Sequence, residues 1–343
     1  MACSSAAFFV ALAVACQANP EVTVTSAIAR PRQILRVYVG DLTGLAWVSR
    51  DRIVTSYFSD ESSAPARLWT VAVDGSHFKR IHIPEAELCG DQIGPTKVAP
   101  NVVGFLYRCN DDLYVFRYDF GSKKGTRLVH RPVPDLGFAR FTWNTSLRRG
   151  LIAQVSSPCV SIAGLTPTGI QLLPIAISED GRKWDLDRMF RGDKQHVCGP
   201  LGNATWPTLS SSGRFVAFFA TSAPSSPDSG FNRIDWPWNL YIMDPNTQEP
   251  KKVLERVSYP GDLRWSPDGR WLAFSGKVAG RLGAWLFSPE GQRLVLFSPV
   301  ALESLDWSPD GNQIAGIPHP EDTDDFKRHL LDVFDVSAVT RSS

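Results

Sequence analysis

Short stretches of alternating apolar and polar residues, each bounded by a polar turn, fill the chain from about residue 33 onwards. The clearest stretch runs from Trp265 to Phe274 (WSPDGRWLAF) and recurs from Trp307 to Gly316 (WSPDGNQIAG). Proline presets the backbone at the second turn position, and glycine adopts a conformation that other residues avoid. Each copy therefore predicts two antiparallel strands joined by a tight turn.

Weaker copies of this hairpin lie upstream. They keep the tryptophan, the turn or the apolar tail, and they start at Trp47, Val98, Trp143 and Ser210. A third apolar strand follows every copy, and a fourth follows the first five copies. Six repeats of about four strands predict an all-β fold, a six-bladed β-propeller built from four-stranded antiparallel blades.

The sixth repeat lacks a fourth strand, whereas Gln33–Val39 precedes the first repeat and belongs to no blade of its own. Pairing this N-terminal strand beside Leu330–Asp335 would remove an exposed edge. We therefore expect the ring to be closed by the N-terminal strand.

The repeated Trp-Ser-Pro-Asp-Gly motif, followed by an apolar-aromatic strand, resembles the WD40-like (PD40) repeat of the TolB-like propeller family. The resemblance covers residues 33–343 and implies the fold, while it says almost nothing about function. Only about fifteen residues separate Cys16 from the first predicted strand, so we expect no counterpart of TolB's N-terminal α/β domain. The partners of TolB itself are therefore not carried over.

The N-terminus has a different character. Ala6–Ala15 is an uninterrupted apolar run, about 15 Å long as a helix, which suits a signal peptide better than a membrane span. Small residues precede Cys16, as at a signal-peptidase site or a lipoprotein site where Cys16 would be lipidated. We expect residues 1–18 to be a signal peptide or lipoprotein signal and residues 19–32 to be a linker. The protein would then lie in the periplasm or cell envelope, and if Cys16 is lipidated, that lipid would attach it to the membrane.

Charge and cysteine content narrow the function. Lys+Arg 36 against Asp+Glu 35 leaves a net charge of +1, so nucleic acid is not an expected partner. Four cysteines follow Cys16, and an even number in an exported chain suggests disulfides. We expect Cys89 to pair with Cys109 and Cys159 with Cys198, because each pair joins loops that flank the same or the adjoining predicted blade. The sequence contains no Cys-x-x-Cys motif or Cys/His cluster, and we expect no metal or cofactor.

The longer predicted loops all fall on one face of the propeller, which is the expected binding surface. One of them carries Phe231, Arg233, Trp236 and Trp238, a mixture typical of protein-interface anchors. The sequence lacks a Gly-x-Ser-x-Gly elbow, a P-loop and a dinucleotide fingerprint. The residues expected near the channel are mixed in sign (Asp41, Lys97, Arg140, Asp262 and Glu303).

We therefore expect a monomeric, non-enzymatic binding or scaffolding propeller with a protein partner. The alternative is a metal-dependent propeller hydrolase or lyase, similar to a lactonase.

Overall fold

The computed structural model describes residues 22–37, 41–59, 65–86, 90–109, 112–129, 141–145, 148–156, 159–171, 203–221, 237–244, 249–319 and 329–341. Apart from a 3₁₀ turn at Pro84–Ala86 and a short helix α1 at Ser337–Thr340, the regular elements in these ranges are strands. No helix in these ranges is long and apolar enough to cross a membrane.

The strands in chain order are β1 (Thr23–Ser26), β2 (Pro31–Val37), β3 (Asp41–Ser49), β4 (Arg52–Phe58), β5 (Arg67–Ala72), β6 (Lys79–Arg80), β7 (Gln92–Ala99), β8 (Val102–Cys109), β9 (Asp112–Asp119), β10 (Lys124–Arg127), β11 (Phe141–Asn144), β12 (Arg149–Ser156), β13 (Cys159–Thr166), β14 (Gly169–Gln171), β15 (Asn203–Leu209), β16 (Val216–Thr221), β17 (Trp238–Asp244), β18 (Glu249–Val257), β19 (Leu263–Trp265), β20 (Leu272–Val278), β21 (Arg281–Ser288), β22 (Arg293–Ser298), β23 (Leu302–Trp307), β24 (Gln313–Pro318) and β25 (His329–Asp335).

These strands form five hydrogen-bonded sheets rather than the six separate blades that the repeats predict. The sheets of repeats one, two and six each have four antiparallel strands, and that of repeat five has a fifth strand added. The prediction fails at repeats three and four, which share one eight-stranded sheet. Their two antiparallel sets are joined by a single parallel pairing, between Val160 and Asn203.

The sheets adopt the β-propeller arrangement. The first strand of each repeat contacts the first strand of the next repeat, from β3 through β7, β11, β15 and β19 to β23. Strand β23 in turn contacts β3. Innermost strands in mutual contact, with the other strands of each sheet following outward, define a propeller.

The predicted pairing of the N-terminal strand with the last strand is confirmed. Strand β2 pairs antiparallel with β25, from Pro31 opposite Phe334 to Val37 opposite His329. Residues 38–40 lie outside the described ranges. Main-chain hydrogen bonds thus connect the N-terminal segment to the last strand.

Part of the segment 19–32, expected from the sequence to be a linker, forms a strand. Thr23–Ser26 forms β1, which pairs parallel with β22 at the outer edge of repeat five. The amides of Ala27 and Ala29 continue this contact by donating to the carbonyls of Leu296 and Phe297. The segment therefore follows the edge of repeat five before it enters repeat six as β2.

The apolar core lies between neighbouring sheets. Trp47 and Ile53 of repeat one, for example, pack with Ile317 and Leu331 of repeat six in one buried cluster. Burial of this apolar surface between the sheets is the main stabilising term for such a fold.

Candidate functional site

Two carboxylates on or beside the innermost strands connect successive repeats. Asp262, which is 1% exposed, precedes β19 and accepts hydrogen bonds from the Ser304 hydroxyl (3.1 Å) and the Leu305 amide (3.2 Å) of repeat six. Asp306, on β23, accepts the amide of Trp47 in repeat one at 2.8 Å. Each carboxylate therefore holds the innermost strand of the following repeat.

The hydrogen bonds of these two acids extend within their own repeats. Asp262 also accepts the Leu263 amide at 3.1 Å and lies 3.4 Å from a guanidinium nitrogen of Arg264. Asp306 accepts the Trp307 amide at 2.9 Å. Both oxygens of each carboxylate thus contact at least one donor, which compensates part of the cost of burial.

Opposing influences act on the pKa of the Asp306 carboxyl group. Burial raises the pKa of its carboxyl group, whereas Arg264, the Trp47 amide, Lys97 and the Trp307 amide lower it. Arg264 belongs to repeat five and Lys97 to repeat two, so charges from three repeats influence one another here. We call Lys97, Asp262, Arg264, Ser304 and Asp306 the inner-strand cluster.

Lys97 and Asp262 were expected in this region from the sequence, whereas Arg264, Ser304 and Asp306 were not. A signal was present, because the two residues flanking the leucine before the motif tryptophan are polar in both repeats, as Asp-Leu-Arg-Trp265 and Ser-Leu-Asp-Trp307. Of the remaining residues expected there, Asp41 and Glu303 are described and Arg140 lies outside the described residues.

A backbone irregularity interrupts β15, the innermost strand of repeat four. The register with β16 shifts between Thr205 and Thr208, and Trp206 in this bulge has a φ of +54°. Positive φ is costly for a bulky side chain, and such strain and bulges often occur near functional sites. The indole of Trp206 is partly buried and packs against the apolar cluster that repeats four and five share.

Trp238 is the one residue of the predicted binding group that the structure describes, since Phe231, Arg233 and Trp236 lie outside the described residues. It begins β17 at the end of the sheet away from the Ser210–Gly213 turn, because Val216, beside that turn, pairs with Met243 at the far end of β17. Its half-buried ring packs against the core cluster of repeats four and five. Its buried indole Nε1, like those of Trp47, Trp265 and Trp271, has no hydrogen-bond partner among the described residues.

The structure describes two of the five cysteines named from the sequence. Cys109 ends β8, is half-buried and is disulfide-bonded. Cys16, Cys89 and Cys198 lie outside the described residues, and only the backbone of Cys159 at the start of β13 is described. The pairings of Cys89 with Cys109 and of Cys159 with Cys198 therefore stay predictions.

At the opposite end of the sheets, a cavity of about 370 Å³ lies between the two Ser-Pro-Asp-Gly turns and the C-terminal helix α1. Its lining includes Trp271, Arg270, Asn312 and Arg341. The charged groups there are already engaged, since Arg270 binds Asp268 (2.7 Å) and Arg341 binds Asn312 (3.3 Å). In the described part of the chain, no group of three His, Cys, Asp or Glu side chains is arranged to hold a metal ion.

No protein-family model and no curated protein matches this chain. Among solved structures it is similar to TolB from Acinetobacter baumannii at 12% identity and a TM-score of 0.48, over 74% of this chain and 53% of that one. It thus spans about half the length of that TolB chain.

Two further solved structures are covered almost completely. They are the PQQ-bound aldose sugar dehydrogenase from Streptomyces coelicolor (13% identity, TM-score 0.52, 90% of this chain and 99% of that one) and an oligogalacturonate lyase from Vibrio parahaemolyticus (9%, 0.50, 90% and 99%). At these identities the similarity shows the β-propeller fold alone. The fold is compatible with both binding and catalysis.

Proposed function

We propose that this chain is an exported binding or scaffolding protein, a TolB-like propeller of six blades that presents its long-loop end to a protein partner. The contact of β23 with β3 and the pairing of β2 with β25 support a ring of six repeats. In this proposal the eight-stranded sheet represents two blades whose edges touch at one residue pair.

One observation carries the functional proposal: the buried carboxylates of the inner-strand cluster are engaged in holding repeats together. Asp262 and Asp306 accept hydrogen bonds from backbone amides of the next repeat, and Arg264 lies beside Asp262. A metal-dependent lyase or hydrolase needs carboxylate oxygens that are free to coordinate the ion. Oxygens that already accept amide hydrogen bonds suit a rigid scaffold better than a metal centre.

Trp238 supports the location of the binding surface. Its ring is fixed in the core at the foot of the segment that carries Phe231, Arg233 and Trp236, and it remains partly exposed. Aromatic anchors supported in this way are typical of interface hot spots.

Site-specific photocrosslinking tests this proposal. A photoreactive amino acid at position 231, 233 or 236 should give a discrete adduct with one protein in the native host, and Trp238→Ala should weaken the reconstituted complex by about tenfold or more. The matched control places the same probe at Asp268 or Asp310, in the turns at the other end of the sheets, where no adduct is expected.

Two outcomes would contradict the proposal. Adducts of equal yield at both ends would show that the long-loop end has no special role. One tightly held divalent ion per purified chain, lost together with an enzymatic activity on chelation, would favour the metal-dependent hydrolase or lyase.

Export and lipidation belong to the same proposal. The apolar run Ala6–Ala15 and the small residues before Cys16 support cleavage of the leader. Intact-mass measurement of the protein from its native host should give an N-terminus at or near Cys16, with added acyl mass if this cysteine is lipidated. A soluble protein that retains Met1 would contradict it.

A further inference from the structure

Strand β1 is unusually exposed for a strand. All four residues of Thr23–Ser26 are exposed, because β1 adds to the outer edge of repeat five. Val24 (48% exposed) and the following Ile28 (51%) are the most exposed of the large hydrophobic side chains among the described residues. Residues four apart in an extended segment lie on the same face, so these two side chains form a small apolar strip.

The main-chain groups on one edge of this segment form hydrogen bonds, whereas no described strand pairs with the other edge. The amides of Thr23, Ala27 and Ala29 donate to the carbonyls of residues 292, 296 and 297 at 2.9, 3.0 and 2.9 Å. Main-chain groups alternate along a strand, so the amides of Val24, Ser26 and Ile28 point away from β22. Strand β1 is the terminal strand of its sheet, and no described strand pairs with that outer edge.

This edge also lacks the usual protection against pairing. Proteins guard open edges with charges, prolines or bulges. Residues 22–29 (VTVTSAIA) contain no charged residue and no proline, and they include five β-branched residues that favour strands.

We propose that the outer edge of β1 pairs antiparallel with the same edge of a second copy of this chain, giving a two-fold symmetric dimer. Pairing of two identical edges satisfies both at once and closes the assembly without further growth. The absence of charge matters here, because a two-fold axis places like residues near one another and like charges would repel.

The dimer is expected to be weak and reversible. Fewer than ten residues of each chain pair across the edge, so the buried area falls below the ~1,200 Å² of stable complexes. Association should therefore appear over about 10 to 300 µM, where micromolar and weaker complexes are populated.

Sedimentation equilibrium of the purified protein across this concentration range tests the proposal. We expect the mass to rise from that of a monomer toward twice that value. Val24→Lys places like charges at the edge, and Val24→Pro removes one outward amide, so each should raise the dissociation constant at least about tenfold. Leu282→Lys is the matched control, because it changes another exposed hydrophobic residue of the same sheet (39% exposed), and its dissociation constant should equal that of the wild type.

Residue-resolved hydrogen exchange provides a second readout that does not depend on variants. Protection of the Val24, Ser26 and Ile28 amides should increase with protein concentration, whereas that of Thr23 and Ala27 should stay constant. A wild type that is monomeric throughout, a dimer insensitive to both Val24 variants, or one weakened equally by Leu282→Lys would overturn the proposal. Binding of an unrelated strand peptide by a protein that never self-associates would also overturn it.

Discussion

Repeats five and six can be compared position by position, because the second copy of the motif lies 42 residues after the first. Their turns are the same. Ser266 accepts the Trp271 amide at 2.9 Å and donates to Asp268 at 2.6 Å. Ser308 accepts the Gln313 amide at 2.9 Å and donates to Asp310 at 2.6 Å.

The two repeats differ in the side chains between their second and third strands, which are β20 and β21 in repeat five and β24 and β25 in repeat six. Repeat five fills the pairing of β20 and β21 with Phe274 and Trp285, both fully buried. Repeat six places Gly316 opposite Asp332 in the corresponding pairing. Leu302 occupies the space above the glycine, since a Cβ atom there would lie 2.5 Å from its Cδ1. The residues of the turn thus define the hairpin, whereas the side chains that fill the space between neighbouring sheets differ from repeat to repeat.

The largest expected effect on stability comes from Trp285, the buried tryptophan of repeat five. Trp285→Ala should lower the free energy of unfolding by about 3 to 5 kcal/mol, because it empties a fully buried site. Trp285→Phe is the control, which keeps most of the packing but loses the hydrogen bond from the indole Nε1 to the Gly276 carbonyl (2.9 Å). Urea denaturation measures both, and a loss below about 1 kcal/mol for the alanine variant would contradict the packing argument.

The shared turns should respond alike. Ser266→Ala and Ser308→Ala each remove a buried hydroxyl that accepts one amide and donates to one carboxylate, so each should cost about 2 kcal/mol. Thr in place of either serine keeps the hydroxyl and should cost less. Thermal unfolding compares the two positions, and clearly unequal losses would show that the turns are not equivalent.

Substitution of Asp332 should raise the free energy of unfolding, whereas substitution of Trp285 lowers it. Burial raises the pKa of Asp332 to about 6, so its ionised form is penalised in the folded state. The stability that the protonated group contributes is full below about pH 4, the unfolded value, and is lost as the pH rises through about 6. Asp332→Asn should therefore stabilise the protein by about 1 kcal/mol at pH 7 to 8.

Free energies of unfolding at pH 4 to 8 for the wild type and Asp332→Asn check this directly. The difference between them should grow across the window and should be small at its acid end. A variant that is less stable at pH 8 would show that the carboxylate is compensated by a partner.

The smallest expected effect is in repeat four, whose Ser210–Gly213 turn has serine where the other two turns have aspartate. Ser210 still accepts the Phe215 amide at 3.0 Å, and Ser212 lies 3.2 Å from its hydroxyl. Ser212→Asp should add a charge-assisted bond and stabilise the protein by about 0.5 kcal/mol. Ser212→Asn, of the same shape without the charge, is the control for denaturant unfolding. Destabilisation by the aspartate would mean that the repeat-four turn does not tolerate the aspartate of the other repeats.

The parts of the fold that could be predicted from the sequence are those that depend on local turns. The Ser-Pro-Asp-Gly turn is local, so its residues predict the hairpins and the repeats directly. The pairing of β2 with β25 was also predictable, because the last repeat lacked one strand and the N-terminus offered one. The alternation of valine and threonine at residues 22–25 is typical of a strand, but the pairing of β1 with β22 was not predictable, since main-chain bonds between segments so distant in sequence leave no signal in the residue pattern.

The candidate site was predictable only in part. Asp262 could be named from its place before the motif, but its contact with Ser304 depends on how two repeats pack, which spacing within one repeat does not reveal. The bulge at Trp206 likewise follows from register rather than from residue type. Trp238 was named from composition, and its packing against the core of repeats four and five becomes evident only in three dimensions.

The route of residues 22–37 also has a consequence for the order of events during synthesis. This segment is made before any repeat, yet its main-chain partners lie in β22 and β25 of the last two repeats. It must therefore wait, unpaired, until nearly the whole chain has emerged, and contacts so distant in sequence form slowly. Until then β22 and β25 are the terminal strands of their sheets and lack these partners, and a chaperone that shields the nascent chain would be needed most during this interval.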